Sequence, residues 1–312
     1  MKILITGAAG CVGAQTVNKL ISTTEHHIFA TDIRPNPFQP NSNLEYQQLD
    51  ICKAEFADWV HKVSPDMVVH LASVLQTSAT LTRDMAYEID VVATKHLLNN
   101  LVDIGTKKII VTTSGAAYGY YPENKYEITE DRQTRGNPDY FYSAHKAEVE
   151  SILQRFRNMH RTLKQVTFRP GAILGPNFAG PIVDLFQQKR IVGLMGYDGP
   201  FNFIWSEDVV DYIIEALETD IVGEYNIAGD GVLSMRHIAE ILGKPYMALP
   251  ELLIKAVLAI AKPLKLSQYG PEQTRFIKYR PVMSNEKLKS HFKHQPRYDS
   301  QQVLEEFIKS ID

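Results

Sequence analysis

The amino-acid sequence predicts an α/β protein built on a doubly wound parallel sheet. Short apolar runs alternate with segments of helical periodicity from the first residue to about residue 228. The runs are apolar throughout, as expected for parallel strands that helices cover on both faces. Glycine or polar residues follow several runs, and ligands of such sheets bind at the carboxyl ends of the strands.

The elements can be placed in order along the chain. A first helix follows the first apolar run, and further helices are predicted at about 54–63, 84–104 and 140–160. The predicted strands are 1–6, 28–32, 46–50, 67–72, 108–114, 166–169 and 225–228. After Arg169 the chain becomes rich in proline and glycine, which predicts a smaller, partly interleaved region in place of a regular continuation of the sheet.

A glycine loop joins the first strand to the first helix, with Gly7, Gly10 and Gly13 as its small residues. Free N–H groups and the helix dipole favour an anion at a helix N-terminus, and small residues let a pyrophosphate approach the backbone. Asp32 ends the second strand, where a carboxylate can accept the ribose hydroxyls and repel a 2′-phosphate. Arg34 weakens that preference, because an arginine can hold a phosphate. The layout is that of a Rossmann-type dinucleotide-binding unit and predicts NAD as cofactor.

The predicted domains follow from this layout. Residues 1–170, with about 204–228 returning to the sheet, form the NAD-binding Rossmann domain. Residues 171–203 and 229–312 form the smaller substrate-binding region, which is expected to close over the cofactor.

Composition excludes several classes of function. The formal charge of −3 leaves no electrostatic footprint for nucleic acid. Two cysteines, Cys11 and Cys52, give no disulfide framework and predict a cytoplasmic protein, with Cys11 as a small packing residue. The N-terminal run continues into the glycine loop and is not a signal peptide. The longest apolar segment, Leu249–Leu266, is interrupted by charges and predicts a helix that covers a pocket or the core and not a membrane anchor. No His, Cys and carboxylate spacing predicts a metal site.

Three residues predict the chemistry. Tyr142 and Lys146 are four positions apart and share one helix face. A free tyrosine titrates at about pH 10, and a nearby ammonium stabilises its phenolate, so Lys146 is expected to lower the pKa of Tyr142. Ser114 ends the fifth strand, where its hydroxyl can orient a substrate oxygen. Together they predict proton transfer at a hydroxyl, with Tyr142 as acid and base, while hydride moves at the same carbon.

With these landmarks the chain resembles the extended short-chain dehydrogenase/reductases, also called the NAD-dependent epimerase/dehydratase family. The matching segments, in order, are Thr6-Gly-Ala-Ala-Gly-Cys-Val-Gly13, Asp32, Asp50-Ile51, His70-Leu-Ala-Ser73, Thr113-Ser114-Gly-Ala-Ala-Tyr118-Gly119, Tyr142-x-x-x-Lys146, Arg169-Pro170 and Phe203-Ile-Trp-Ser-Glu-Asp208. The resemblance implies an enzyme that works as a homodimer. The cofactor-binding residues then predicted are Gly7, Gly10, Cys11, Val12, Gly13, Asp32, Asp50, Ile51, Leu71, Ala72, Ser73, Tyr142, Lys146 and Pro170.

Departures from the family pattern reduce the number of reactions that the chain could catalyse. Family dehydratases carry an Asp-Glu pair where this chain has Gly115 and Ala116, so elimination of water lacks its acid and base. Members that epimerise beside a carbonyl place a cysteine near the same point, and this chain has none there. Hydride chemistry at a carbinol carbon remains, either as 4-epimerisation or as net dehydrogenation or reduction.

Other departures concern the substrate. Ala172 stands where members that use nucleotide sugars usually have asparagine, and Asp90 stands where many members of the family have asparagine. Tyr118, Phe141 and Ala172 are the candidate substrate contacts. The first hypothesis is a nucleotide-sugar 4-epimerase. The alternatives are an NAD-dependent dehydrogenase or reductase of a less polar, steroid-like alcohol or ketone, and a non-catalytic NAD-sensing protein.

We expect neither of the two histidines near the predicted site to act in catalysis. His70 ends a buried strand and is expected to be structural. His145 points off the face that Tyr142 and Lys146 share and is expected to be exposed to solvent.

Overall fold

A computed structural model describes residues 1–78, 80–124, 127–264 and 270–311 of the chain. The strands are β1 (Lys2–Thr6), β2 (His27–Asp32), β3 (Leu44–Gln48), β4 (Met67–His70), β5 (Lys108–Thr112), β6 (Lys164–Pro170), β7 (Ala172–Leu174), β8 (Ile191–Leu194), β9 (Phe203–Trp205), β10 (Gly223–Ile227) and β11 (Tyr246–Leu249). The α-helices are α1 (Cys11–Thr23), α2 (Ala54–Val63), α3 (Arg83–Tyr87), α4 (Ala93–Asp103), α5 (Phe141–Met159), α6 (Pro181–Gln187), α7 (Ser206–Glu218), α8 (Met235–Ile241), α9 (Glu251–Ala261), α10 (Thr274–Lys278), α11 (Glu286–His291) and α12 (Ser300–Ile311).

Seven parallel strands form the central sheet in the order β10-β6-β5-β4-β1-β2-β3. The chain starts at β1, winds outward to β3, and then returns to lay β4 on the other side of β1. This reversal makes the fold doubly wound and opens a crevice at the carboxyl ends of β1 and β4, where ligands of such sheets bind. The predicted fold class is confirmed.

Helices cover both faces of the sheet. On one face α1 and α7 pack on the central strands, and on the other α2, α4 and α5 do so. Each large apolar side chain buried in these layers contributes about 1.5–3 kcal/mol. The helix predicted at 84–104 is divided, because a π-helical turn, Glu88–Val92, separates α3 from α4.

A separate apolar cluster organises the segments that follow β6. Its large aromatic members, Phe186, Phe201, Phe203 and Phe307, are at most 3% exposed. Two short parallel pairs, β7 with β9 and β8 with β11, flank this cluster. The boundaries between the two predicted domains stay a prediction.

The apolar segment 249–266 differs from its expected role. Its described part ends β11 and forms α9, but the helix has no buried residue, and Leu252 is 81% exposed. The helix therefore buries no apolar side chain in the core, although Lys262 at its end lines the same cavity as Ser114. Positions 265–266 lie outside the described residues. No helix in the described part of the chain is long and apolar enough to cross a membrane.

Candidate active site

The glycine loop forms the N-terminal boundary of α1. Gly7 has a φ of +68°, and a Cβ there would lie 2.6 Å from the backbone nitrogen of Ala72. A Cβ on Gly13 would lie 2.2 Å from the carbonyl oxygen of Gly7. These two glycines thus hold the loop close to β4 and to its own helix, a packing role beyond the access that the sequence predicted. Gly10 caps α1 with backbone alone, and no described side chain caps the helix, so its first N–H groups remain available to an anion.

Asp32 ends β2 beside this loop and is almost fully buried. Its Oδ2 accepts the backbone N–H of Ala9 at 3.1 Å. Arg34 holds the same carboxylate with two donors, Nε at 3.0 Å and Nη2 at 2.9 Å. Burial raises the pKa of Asp32, but the hydrogen bonds and charge of Arg34 outweigh it and leave the pKa below the usual value. An anionic acceptor therefore stands where a dinucleotide ribose is expected, and the loop and this carboxylate together fit NAD.

Further predicted cofactor residues, Asp50, Ile51 and Leu71–Ser73, follow β3 and β4 at the carboxyl edge of the sheet. Ile51 is buried after β3, and Asp50 Oδ1 accepts the backbone N–H of Cys52 at 2.9 Å. Leu71–Ser73 follow β4, and the Ser73 hydroxyl donates to Asp90 at 2.7 Å. Their roles in binding stay predictions.

Cys11 does not have the expected packing role. The residue is exposed at the start of α1 and lines a cavity that Ser114 and Tyr142 also line, with its Sγ 3.5 Å from the carbonyl oxygen of Asn177. Instead, Gly13 and Val17 on the inward face of the helix pack against the core.

Ser114, Tyr142 and Lys146 converge at the carboxyl end of β5. Ser114 begins a 3₁₀ turn, where its hydroxyl accepts the backbone N–H of Ala116 at 3.1 Å. Tyr142 lies in the first turn of α5 and is hydrogen-bonded to Ser114. The Lys146 Nζ is 5.6 Å from the centroid of the Tyr142 ring. The structure thus brings the three residues together, although their catalytic roles stay predictions.

The pKa values of this pair differ from the sequence-based expectation. Burial raises the pKa of Tyr142, and the negative charge of Asp90 adds to that effect against the hydrogen bond from Ser114. Burial also lowers the pKa of Lys146, against the charges of Asp90 and Glu150. The expectation that Tyr142 has a lowered pKa was wrong, because desolvation of the phenolate outweighs the stabilising contacts.

The two histidines near the site are both buried. His70 lies between the hydroxyls of Thr6 and Thr94, at 2.7 and 3.0 Å, and burial lowers its pKa to about 4. This neutral, doubly bonded ring has the expected structural environment. His145 is only 4% exposed, and its ring contacts Phe141 at 5.4 Å between centroids. The prediction of an exposed His145 was wrong, because the π turn before α4 covers that side of α5.

Tyr118 does not face the cavity. It is 1% exposed, and its hydroxyl donates to Asn226 at 2.7 Å and accepts from Arg169 at 2.9 Å. Arg169 also holds both carboxylate oxygens of Glu150, at 2.9 and 2.8 Å. The prediction of Tyr118 as a substrate contact was wrong, because this buried network between β6, α5 and β10 fixes its hydroxyl away from the site.

A cavity of about 830 Å³ opens beside the Ser114–Tyr142 pair. Phe141 and Ala172, two of the candidate substrate contacts, line it, and so does Pro170, a predicted cofactor residue; their roles in binding stay predictions. Its apolar wall comes largely from segments after β6 and consists of Leu75, Ile173, Phe178, Ile182, Val183, Phe276, Pro281 and Met283. Its volume lies within the range usual for small-molecule sites.

Arg280 is a lining residue that sequence reasoning missed. Its guanidinium lies 3.8 Å from the centroid of the Phe201 ring, and its buried Nε has no hydrogen-bond partner among the described residues. Other charges at the cavity are engaged, because Lys262 pairs with Glu272 at 2.8 Å and Arg83 donates to a backbone carbonyl. An arginine beside a proline in an irregular tail carries no local signal of a site.

Residues 279–284 of the C-terminal tail form a strap that holds Arg280 in the cavity wall. The backbone of Ile128 accepts from Ser284 at 3.0 Å and donates to Val282 at 2.7 Å. The side chain of Asn202 donates to the Met283 carbonyl at 2.9 Å. A guanidinium so fixed in the cavity wall can hold an anionic group of a ligand whose hydroxyl reaches Ser114 and Tyr142.

Comparisons with known proteins agree with this architecture. The profile of the NAD dependent epimerase/dehydratase family matches residues 3–228. A UDP-glucose 4-epimerase of Mycolicibacterium smegmatis is 25% identical over 235 residues, which cover 69% of this chain and 73% of that protein. An uncharacterised Mycobacterium tuberculosis protein is 22% identical over 314 residues, and the match covers 100% of this chain but only 30% of that protein. The UDP-glucose 4-epimerase of Thermotoga maritima, solved with UDP-glucose, shares the fold with a TM-score of 0.77 at 19% identity, covering 100% of this chain and 98% of that one.

Proposed function

This chain belongs to the NAD dependent epimerase/dehydratase family, and from this premise we propose that it is a nucleotide-sugar 4-epimerase. It is an NAD-dependent enzyme. The reaction inverts one carbinol centre through a transient ketone, so that NAD is regenerated in each cycle.

The observation that carries the proposal is Arg280 in the cavity of Ser114 and Tyr142. Arg280 has a buried Nε and no carboxylate partner among the described residues. Such a guanidinium favours an anionic ligand, because a desolvated charge is stabilised by a charge-assisted hydrogen bond. A sugar nucleotide supplies both required parts, a diphosphate for Arg280 and a sugar hydroxyl for Ser114 and Tyr142. The name of the M. smegmatis relative agrees with this substrate class.

The residues of the chain divide the work of proton transfer. Ser114 orients the sugar hydroxyl, and Tyr142 takes its proton as the carbon loses hydride. Burial opposes the phenolate form that this step needs, and the positive charges of Lys146 and of bound NAD would offset that cost. The loop after β1 and Asp32 would hold NAD, which would supply the acceptor and then the donor of that hydride. Tyr142 then donates the proton back to the oxygen, so protons and electrons balance over the cycle. Lys146 supplies the positive charge that favours the phenolate form.

The surroundings of Gly115 support hydride transfer without elimination. A Cβ at this position would lie 2.5 Å from the Sδ of Met283. The space that a dehydratase acid needs after Ser114 is therefore filled by a residue of the C-terminal strap.

An alternative is net oxidation or reduction of a less polar alcohol or ketone. The apolar wall of the cavity, with Ala172 in place of an asparagine, favours it. This reaction would consume NAD or NADH in proportion to product, whereas epimerisation would not.

The test is an assay with UDP-glucose, UDP-galactose and the corresponding dTDP sugars, followed by separation of the epimers. We expect conversion of at least one sugar nucleotide to its 4-epimer without net accumulation of NADH. Stoichiometric NADH formation with a neutral alcohol, and no conversion of any sugar nucleotide, would favour the alternative.

We also infer that the enzyme works as a homodimer in the cytoplasm. Family membership supports the dimer, and the free, exposed Cys11 and Cys52 suit a reducing compartment. Light scattering coupled to size-exclusion chromatography tests the dimer, and a monomer at micromolar concentration would contradict it.

A further inference from the structure

The helix α9 exposes a continuous apolar stripe to solvent. Its half-buried positions, 251, 254, 258 and 261, recur every three or four residues, and with this side the helix packs against the 3₁₀ turn Pro271–Gln273 and α10. The positions on the other side are exposed, and no residue of α9 is buried. The exposed apolar residues that form the stripe are Leu252, Leu253, Ala256, Val257 and Ile260, and Leu264 continues it past the end of the helix.

Exposed apolar side chains are concentrated on this stripe. Five of the large apolar side chains that are exposed in the described part of the chain lie between positions 252 and 264. Met195 adds to the same surface, because its backbone N–H donates to the carbonyl of Leu249 just before the helix and its side chain is 58% exposed. Apolar residues scattered singly are ordinary on a protein surface, whereas a contiguous patch is typical of a surface that binds a partner.

Basic side chains border the stripe. Lys255 pairs with Glu251, and Lys262 pairs with Glu272, both at 2.8 Å. In each pair the lysine is the more exposed partner, with 45% and 50% of its side chain accessible against 27% for either glutamate. The sequence from 250 to 281 has six lysines and arginines and two glutamates, although the chain as a whole has a formal charge of −3. This segment is therefore positive on a chain that is negative overall.

An anionic lipid surface matches both the stripe and its charges. Apolar side chains enter the boundary between headgroups and acyl chains, while lysines bury their stems and keep their ammonium groups at the headgroup phosphates. The helix has 11 residues and is about 16 Å long at a rise of about 1.5 Å per residue. Because the hydrocarbon core of a bilayer is about 30 Å thick, the helix can lie along a bilayer surface but cannot cross it.

A second copy of the chain matches this surface less well. Two-fold pairing through α9 would place the same positive segment of each copy opposite the other, and like charges across an interface are unfavourable. A bilayer that contains anionic lipids supplies the opposite charge together with an apolar interior. The charges of the segment therefore favour a lipid surface over self-association.

The stripe adjoins the open side of the active-site cavity. Lys262, at the end of α9, and its partner Glu272 both line the cavity that Ser114 and Tyr142 also line. Phe276, on the helix that packs against α9, lines it as well. Because Lys262 is exposed to solvent, a bilayer in contact with the stripe would lie beside the entrance to the cavity.

We propose that α9 docks this protein on an anionic lipid bilayer, with the apolar stripe in the headgroup region and Lys255 and Lys262 at lipid phosphates. The binding is peripheral and holds the entrance of the cavity at the membrane surface. The inference goes beyond the proposed epimerisation and does not rest on it, because it requires only the exposed surface of α9 and its charges.

Sedimentation with vesicles tests the docking without any assay of activity. The purified chain is mixed with vesicles of phosphatidylcholine alone, or of phosphatidylcholine with phosphatidylglycerol, and the bound fraction is measured over a series of lipid concentrations. We expect binding to the vesicles that contain phosphatidylglycerol. Binding to the neutral vesicles should be at least about fivefold weaker, since a single basic residue near an anionic surface contributes about that factor.

A stripe variant tests whether α9 is the surface that binds. It carries serine in place of three exposed apolar residues of the helix: Leu252→Ser, Val257→Ser and Ile260→Ser. Its control makes the same change at three exposed apolar residues elsewhere: Val222→Ser, Val232→Ser and Ile311→Ser. The stripe variant should bind anionic vesicles at least about tenfold more weakly, because it loses the apolar area that enters the lipid, and the control should bind as the wild type does. Both should keep the unfolding midpoint of the wild type, since all the replaced side chains are exposed.

A charge variant, Lys255→Gln with Lys262→Gln, tests the electrostatic part and decides the point even if the stripe variant does not fold. Its affinity for anionic vesicles should fall by about tenfold, while its affinity for neutral vesicles should stay the same. The control, Lys62→Gln with Lys189→Gln, removes two exposed lysines outside α9 and should have a smaller effect.

Three results would overturn the inference. The first is a wild type that does not bind anionic vesicles, and the second is equal binding by either variant and its control. The third is a stripe variant that binds vesicles as the wild type does but has a smaller oligomeric state in size-exclusion chromatography, because the stripe would then be an interface between copies of the chain.

Discussion

The two sides of the active-site crevice are built by different means. On the cofactor side, the loop after β1, the end of β2 and the first turn of α5 come from short segments with recognisable spacing. On the substrate side, the cavity wall combines residues from β7, α6, α10 and the strap at 279–284. Short-range geometry thus makes one side, and contacts between distant segments make the other.

Because the two sides are built differently, they tolerate different substitutions and bind different ligands. The cofactor side holds its geometry through backbone contacts that allow few residue types, as Gly7 and Gly13 illustrate. The substrate side offers side chains such as Arg280 on a strap held by backbone hydrogen bonds, so its chemistry can vary while the fold stays the same. Variants on the two sides should therefore separate cofactor affinity from substrate affinity.

The largest effect is expected where the two sides meet, at Tyr142. Tyr142→Phe removes the group that transfers the proton and should lower kcat by about 10² to 10⁴-fold. NAD affinity should change little, since the ring and its packing remain. Steady-state kinetics and a titration of NAD by calorimetry check the two expectations. Tyr298→Phe, outside the cavity, is the control, and an equal loss of kcat in both variants would contradict the assignment.

Arg280→Met should affect the substrate side alone. Loss of a charge-assisted hydrogen bond costs about 1.5–3 kcal/mol, which corresponds to roughly a 10- to 100-fold rise in KM for a sugar nucleotide. The NAD dissociation constant should stay the same. Arg236→Met, a surface arginine over Tyr246, is the matched control. An unchanged KM would mean that the diphosphate lies elsewhere.

Gly13→Ala should affect the cofactor side alone. The added Cβ lies 2.2 Å from the Gly7 carbonyl oxygen, so the loop must shift. Overpacking of this kind costs about 1–3 kcal/mol, and we expect weaker NAD binding together with a lower unfolding midpoint. Gly231→Ala has a positive φ but open space around its Cβ, so it should lower stability without weakening NAD binding. Normal NAD affinity in Gly13→Ala would contradict the inference that a Cβ at this position displaces the cofactor-binding loop.

Asp32→Asn should give the smallest effect, a change of cofactor preference. The asparagine no longer repels a 2′-phosphate, and Arg34 is released from its carboxylate partner. We expect the preference for NAD over NADP to fall by about tenfold, because a hydrogen bond to a charged group contributes about 1.5–3 kcal/mol. Fluorescence titration with both cofactors measures the ratio, and an unchanged ratio would assign the selectivity to other residues.

The sequence predicted the sheet and the convergence of Ser114, Tyr142 and Lys146, because strand periodicity and helix spacing are local properties. It did not predict the burial of His145 or Tyr118. Whether those side chains reach solvent depends on Asp90, Asn226 and other groups that distant elements supply. Arg280 was missed for the same reason.

Environment also reversed the expected pKa of Tyr142. Spacing correctly placed Lys146 near the phenol ring, but it could not weigh the cost of burying a phenolate against that contact. Motifs identify which groups meet, whereas burial decides their protonation.

The proposed 4-epimerisation requires that hydride leave and return to the same sugar carbon within one active site. The direct measurement uses UDP-glucose carrying deuterium at C4, the epimer pool being followed by NMR and mass spectrometry with simultaneous detection of NADH. We predict that both epimers retain the deuterium at C4 and that no NADH accumulates. Loss of the label to solvent, or release of ketone with stoichiometric NADH, would contradict the claim.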